Sequence, residues 1–140
     1  MRETAVSHYD AAIRHSASVL VVEDEELVRQ PMVDELVAAG YHVRETGSGQ
    51  AAIDILQSDK SIRIVLTDLR MPGVVDGAAL AAWIARERPD VWTVVVSGFY
   101  SARRQDIPAH LVLEKPVAPS VVINAVDVIL AANKLAVPLQ

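Results

Sequence analysis

The segment IVLTDLRMPGVVDG, residues 64–77, decides the fold. It follows Ile62 and Arg63, and from Ile62 to Thr67 the chain is almost wholly apolar and rich in branched side chains. Such a run reads as a strand buried on both faces. It ends in Asp68 and passes into a loop holding Pro72, Gly73 and Gly77. An acid at the carboxyl end of a doubly buried strand sits at the rim of a core.

Working outward, strand-like runs alternate with helix-like segments five times. The strand candidates are Val19–Glu23, Tyr41–Glu45, Ile62–Thr67, Trp92–Ser97 and His110–Glu114, short and rich in Val, Ile and Leu. Between them lie helical patterns over Glu25–Ala39, Ser48–Gln57 and Gly77–Arg88, and a weak one over Ser101–Asp106. Pro119–Lys134 closes the series. Gly40 and Pro89 stand where two of these helices should stop. The alternation predicts an α/β fold, a doubly wound parallel sheet of five strands in the order 2-1-3-4-5 with helices on both faces.

Composition narrows the chemistry. The chain has 140 residues, enough for one domain with a real core, and a second folded module is not expected. Its formal charge is −5 and its Lys and Arg are not clustered, which argues against nucleic acid as a partner. With no cysteine, disulfides and thiolate chemistry are excluded. No apolar run reaches the roughly 20 residues of a membrane span, and Met1–Ser18 is unlike a signal peptide, so a cytoplasmic protein without a membrane partner is expected.

In a sheet of this order, sites form outside the carboxyl ends of the strands. Strand one ends at Glu23 and Asp24, strand three at Asp68, strand four at Ser97, and strand five at Glu114 and Lys115. Carboxylates brought together repel one another unless a cation sits among them. Mg²⁺, or Mn²⁺ in its place, suits an all-oxygen donor set. With a metal and Lys115 both present, the missing anion is a phosphoryl group, and Asp68 is placed to carry it as an acyl phosphate. Ser97 and the N–H groups of Leu69 and Gly98 are the expected hydrogen-bond donors to it.

The fragments VLVVEDEELVR, VLTDLRMPG, DG, VVVSG and LEKP, in this order and at these strand ends, resemble the receiver domain of two-component response regulators, whose fold is flavodoxin-like and CheY-like. The resemblance covers about residues 18–134. It implies Asp68 as phosphoacceptor, Asp24 as direct metal ligand, Glu23 as ligand through water and the Arg70 carbonyl as the remaining protein ligand. It also implies Ser97 as switch hydroxyl, Lys115 as the phosphoryl-pairing cation and a cis Lys115–Pro116 bond. The function implied is that of a stand-alone phosphorelay protein, phosphorylated by a sensor histidine kinase or a histidine phosphotransfer protein and read by docking. It would catalyse only its own phosphorylation and dephosphorylation.

The expected domain organisation is an N-terminal extension over 1–17, disordered or a short helix, a receiver domain over 18–135 and a tail over 136–140. The alternative is a receiver-fold interaction module that works without phosphorylation; a Mg²⁺-dependent phosphohydrolase is the weakest reading, since no substrate pocket is visible.

Four departures from the family pattern stand out. Glu23 replaces the more frequent Asp, and MPGVVDG is one residue longer than the commonest form of that loop. Pro31 falls inside the first helix, where it should bend the helix or delay its regular start. Val112 stands where many receivers carry the Tyr or Phe that turns inward on phosphorylation. Arg70 and Phe99 flank the expected path of an attacking water and are expected to slow hydrolysis. The last helix is apolar beyond what packing on a sheet requires, which predicts a homodimer or partner contact on the face formed by the fourth helix, fifth strand and fifth helix. The four histidines show no metal-ligand spacing, and TGSGQAA reads as a turn and helix start rather than a phosphate loop.

Overall fold

The computed structural model describes residues 17–98 and 107–136. The extension over 1–16, Phe99, Tyr100, the weak helix at Ser101–Asp106 and the tail beyond 136 lie outside the described residues. Among the described residues nine elements follow in chain order: β1 (Ser18–Val22), α1 (Glu26–Ala38), β2 (His42–Thr46), α2 (Gly49–Ser58), β3 (Ile62–Asp68), α3 (Gly77–Glu87), β4 (Trp92–Ser97), β5 (Leu111–Glu114) and α4 (Pro119–Ala136). The strands pair in parallel in the order β2-β1-β3-β4-β5, as the sequence predicts.

Alternate residues of the central strands feed two cores. On one face Val19, Val21, Ile64 and Leu66 pack with Val33 and Leu36 of α1 and with Val122, Val126 and Leu130 of α4. On the other, Leu20, Val22, Ile62 and Val65 pack with Ala52 and Leu56 of α2 and Leu80 and Ile84 of α3. Ile62 and Ile64 are two residues apart yet serve opposite faces. The reason is a bulge, for Ser18 pairs with Ile62 and Val19 with Ile64, so Arg63 is skipped and left exposed.

Helix ends follow their local chemistry. Gly40 (φ 104°) closes α1 with Gly40 N–H on the Val37 carbonyl (2.9 Å) and Tyr41 N–H on that of Leu36 (3.1 Å), a Schellman arrangement whose Tyr41 and Leu36 both enter the core. Ser48 caps α2 by accepting from Ala51 N–H (3.0 Å), which makes TGSGQAA the turn and helix start that was expected. Pro31 does not delay α1, which begins five residues earlier at Glu26 and runs unbroken to Ala38.

The apolar surplus of the last helix is largely absorbed by the core. Besides its three buried residues, Ile123 and Ile129 pack against the same cluster, and only Val121 and Val128 are large apolar side chains left exposed among its described residues. Trp83 packs against the second core, and Trp92 against the first, with the His110 ring tilted at 47° against it, centroids 4.4 Å apart. No helix among the described residues is long and apolar enough to cross a membrane.

Candidate functional site

β1 and β3 lie side by side at the point where the strand order reverses, and their carboxyl ends deliver the acids. Glu23, immediately after β1, is buried, and its N–H pairs with the Thr46 carbonyl of β2 (3.0 Å). Its carboxylate turns back to accept from Glu25 N–H (3.1 Å). Asp24 is exposed, while Asp68 closes β3 half-buried. One carboxylate oxygen from each of Glu23, Asp24 and Asp68 lies within 4.8 Å of the others. Direct ligands on opposite sides of an octahedral Mg²⁺ are about 4 Å apart and a carboxylate acting through water stands farther off, so the spacing of this all-oxygen cluster suits the ion.

Lys115 supplies a cation from the far side. Its Nζ lies 3.3 Å from Asp68 Oδ1 and 3.5 Å from Glu23 Oε1. The position is set by β5, since Lys115 N–H donates to the Ser97 carbonyl (2.7 Å). The Lys115–Pro116 bond is cis, as expected from the resemblance. Burial pushes the Glu23 pKa up, and the Asp68 and Asp24 carboxylates add to this against the opposing Glu25 N–H and Lys115. Burial works to lower the Lys115 pKa, but Asp68 and Glu23 together outweigh it and the net direction is up.

Ser97 ends β4 with its residue buried, one position beyond Val96, the neighbour of Asp68 in the sheet. Of the expected backbone donors, Leu69 N–H is already engaged with the Val96 carbonyl (3.0 Å), so it is part of the ladder rather than an open donor. Gly98 is exposed beside the Lys115 stem. Arg70 lies exposed in the loop after β3, where a shallow cavity is lined by Arg70, Met71, Pro72 and Asp76. Phe99, its expected companion along the water path, lies outside the described residues. A cleft of about 660 Å³ opens beside Asp68, Glu23 and Lys115, walled by Leu27, Pro31 and Met32 of α1 and by Pro116 and Val117.

Two residues at this rim carried no signal in the sequence. Arg29 Nη1 donates to the Glu23 carbonyl (2.7 Å) and its Nε to Glu45 Oε1 (2.7 Å). Glu45 Oε1 also accepts from Gln30 Nε2 (2.6 Å). A cation early in a helix and an acid in an edge strand are commonplace separately, and only the fold brings them together.

Comparison with known proteins places this geometry. The family model for the response regulator receiver domain matches residues 19–127. The sensor kinase CckA of Brucella abortus is 38% identical over 96 residues, which cover 67% of this chain but 10% of CckA. The response regulator receiver protein CpdR of the same organism is 31% identical over 118 residues, covering 81% of this chain and 97% of CpdR. Among solved structures, the response regulator protein TrrA of Thermotoga maritima, in complex with Mg²⁺-BeF, superposes with a TM-score of 0.70 at 26% identity, covering 79% of this chain and 96% of that one. A parallel sheet of this order, an acid cluster at its switch point and a family match over most of the length converge, and the chain belongs to the response regulator receiver domain family.

Proposed function

We propose that this chain is a phosphorelay receiver in which Asp68 accepts a phosphoryl group from a phosphohistidine. The observation that carries the reading is the pairing of Lys115 with both Asp68 (3.3 Å) and Glu23 (3.5 Å) at the edge of the Glu23, Asp24 and Asp68 cluster. An Asp68 carboxylate oxygen attacks phosphorus as the P–N bond of the donor breaks, and the imidazole nitrogen leaves with the electron pair. Lys115 stays beside the oxygens that gain charge, and Ser97 is the hydroxyl that closes on the product. Asp24, Glu23 through water, Asp68 and the Arg70 carbonyl are the residues that would hold Mg²⁺ or Mn²⁺. When bound, the metal offsets the negative charge gathered at the transferring group. The complex of TrrA with Mg²⁺-BeF supports carrying that ligand class to this chain.

The donor is a sensor histidine kinase or a histidine phosphotransfer protein, a choice supported by the match to a segment of CckA. The protein acts in the cytoplasm, turns over no external substrate, and is read by docking rather than by binding nucleic acid or membrane. Self-association draws on Val121 and Val128, exposed seven residues apart on α4. Sedimentation as a monomer with and without beryllofluoride would remove it. A second reading, docking without phosphorylation, draws on Val112, which sits half-buried in β5 opposite Val95 where an aromatic pivot is usual.

One experiment separates the two readings. Wild type and Asp68→Ala are incubated with a small-molecule phosphodonor and Mg²⁺, and intact mass is measured. One added phosphoryl group that requires both Mg²⁺ and Asp68 is the expected result. No adduct on the wild type, together with no beryllofluoride binding, would leave only docking.

A further inference from the structure

We infer that Arg29 is a positioning residue for the Glu23 and Asp24 pair, acting through the peptide that joins them; the inference rests on the metal reading above. These two acids sit in the short link between Val22, the end of β1, and Glu26, the start of α1. Glu25 occupies the N-cap position of α1 and makes no side-chain cap bond; the link is held instead by the Glu23 carboxylate on Glu25 N–H (3.1 Å) and by Arg29, which reaches back from the helix to the Glu23 carbonyl (2.7 Å).

The bond has consequences beyond Glu23. The Glu23 carbonyl and the Asp24 N–H belong to one planar peptide unit, so holding the oxygen fixes the plane from which the Asp24 Cα departs. Asp24 is exposed, and its direction is set by that backbone. Arg29 itself has little freedom, because its planar fork is held at a second point by Glu45 (2.7 Å) and its side chain is only 16% exposed. An isolated surface ion pair contributes little, but this guanidinium is largely covered and one of its two bonds ends on the metal loop. The edge strand β2 is thereby tied to the acid cluster through Glu45 and Arg29.

The roles of charge and of geometry predict opposite signs. Removing a cation near three carboxylates should tighten metal binding if its charge is what matters, and loosen it if positioning dominates. The test is Mn²⁺ binding to the full chain, read from the free-ion EPR signal and competed with Mg²⁺, alongside metal-free melting. Arg29→Met is expected to weaken binding about tenfold, the low end for groups that orient ligands, and Arg29→Lys to recover part of the loss. Unchanged or tighter binding by a folded Arg29→Met, even with a lowered melting temperature, overturns the inference. If Arg29→Met fails to fold, Glu45→Gln decides: about threefold weaker binding supports the inference and unchanged affinity overturns it. Absence of Mn²⁺ and Mg²⁺ binding by the wild type would instead overturn the metal reading itself.

Discussion

A Cβ added to Gly77 would lie 2.1 Å from the carbonyl oxygen of Asp68, closer than any two such atoms can sit. The first turn of α3 is pressed onto the end of β3, and Gly77 N–H donates to the Leu69 carbonyl (2.9 Å) at the same contact. Glycine is required here by space, since among the described residues only Gly40 and Gly73 have a positive φ. Gly77→Ala must displace the backbone carrying Asp68, and a loss of about 1–3 kcal/mol is expected, with impaired phosphorylation. Gly47→Ala is the control, because its Cβ would meet nothing nearer than 3.5 Å. Urea denaturation of the two variants checks the contrast, and equal midpoints would remove the steric argument.

Arg88 is a structural clasp. It is 5% exposed, donates to the carbonyls of Leu56 (2.6 Å), Asp59 (3.3 Å) and Ile62 (3.2 Å), and pairs with both carboxylate oxygens of Asp90 (3.0 Å each). Arg88→Met leaves those carbonyls short of a donor and is expected to cost about 2–4 kcal/mol, read from urea denaturation at neutral pH. Hydrogen bonding from Arg88 holds the Asp90 pKa down. A depressed carboxylate stabilises the fold above its unfolded pKa and loses that contribution as pH falls through the folded value. The gap between wild type and Asp90→Asn should therefore narrow on acidification below about pH 4.

These two residues mark what the sequence makes legible. Strand order and helix ends were readable because they depend on periodicity and on local signals such as Gly40 and Ser48, which act within a few residues. The acids and Lys115 were readable because each stands at a strand end, and the topology dictates which ends converge. Arg88 looks like an ordinary last helical residue, because apart from Asp90 its partners are backbone carbonyls 26 to 32 residues away and carry no side-chain signature. Arg29 and the skipped Arg63 were hidden for the same reason, since bulges and backbone contacts are set by packing. The engagement of Leu69 is not legible because periodicity does not reveal that the last β3–β4 pair, Asp68 with Val96, takes up the Leu69 N–H.

His110 gives the fold an acid sensitivity. Its Nδ1 accepts from Thr93 N–H (3.0 Å), its backbone N–H donates to the Thr93 carbonyl (2.9 Å), and burial holds the ring pKa below the ordinary histidine value. Protonation occupies the accepting nitrogen. The unfolded chain therefore takes up a proton before the folded one does, and stability falls as pH drops from the unfolded value, about 6.5, toward the folded one. His110→Asn keeps an acceptor without titrating. The urea midpoint of the wild type should decline more steeply than that of His110→Asn between neutral pH and pH 5, and parallel curves would show that His110 does not contribute.

The Lys115 ammonium offsets two carboxylates that otherwise face each other and Asp24. In Lys115→Met the cluster keeps its three acids without that cation. A loss of about 1–2 kcal/mol is expected in chelator, less than for a fully buried pair because the lysine side chain is 30% exposed. A divalent cation relieves the same repulsion, so excess Mg²⁺ should stabilise the variant more than the wild type and narrow the gap between them. Stability alone would then be restored, while phosphorylation of Asp68 would stay slow, because the ammonium beside the transferring oxygens is still missing. Melting curves in chelator and in Mg²⁺, with phosphodonor kinetics followed by intact mass, measure the two effects separately. A gap that Mg²⁺ leaves unchanged would mean that metal and lysine do not act on a common set of charges.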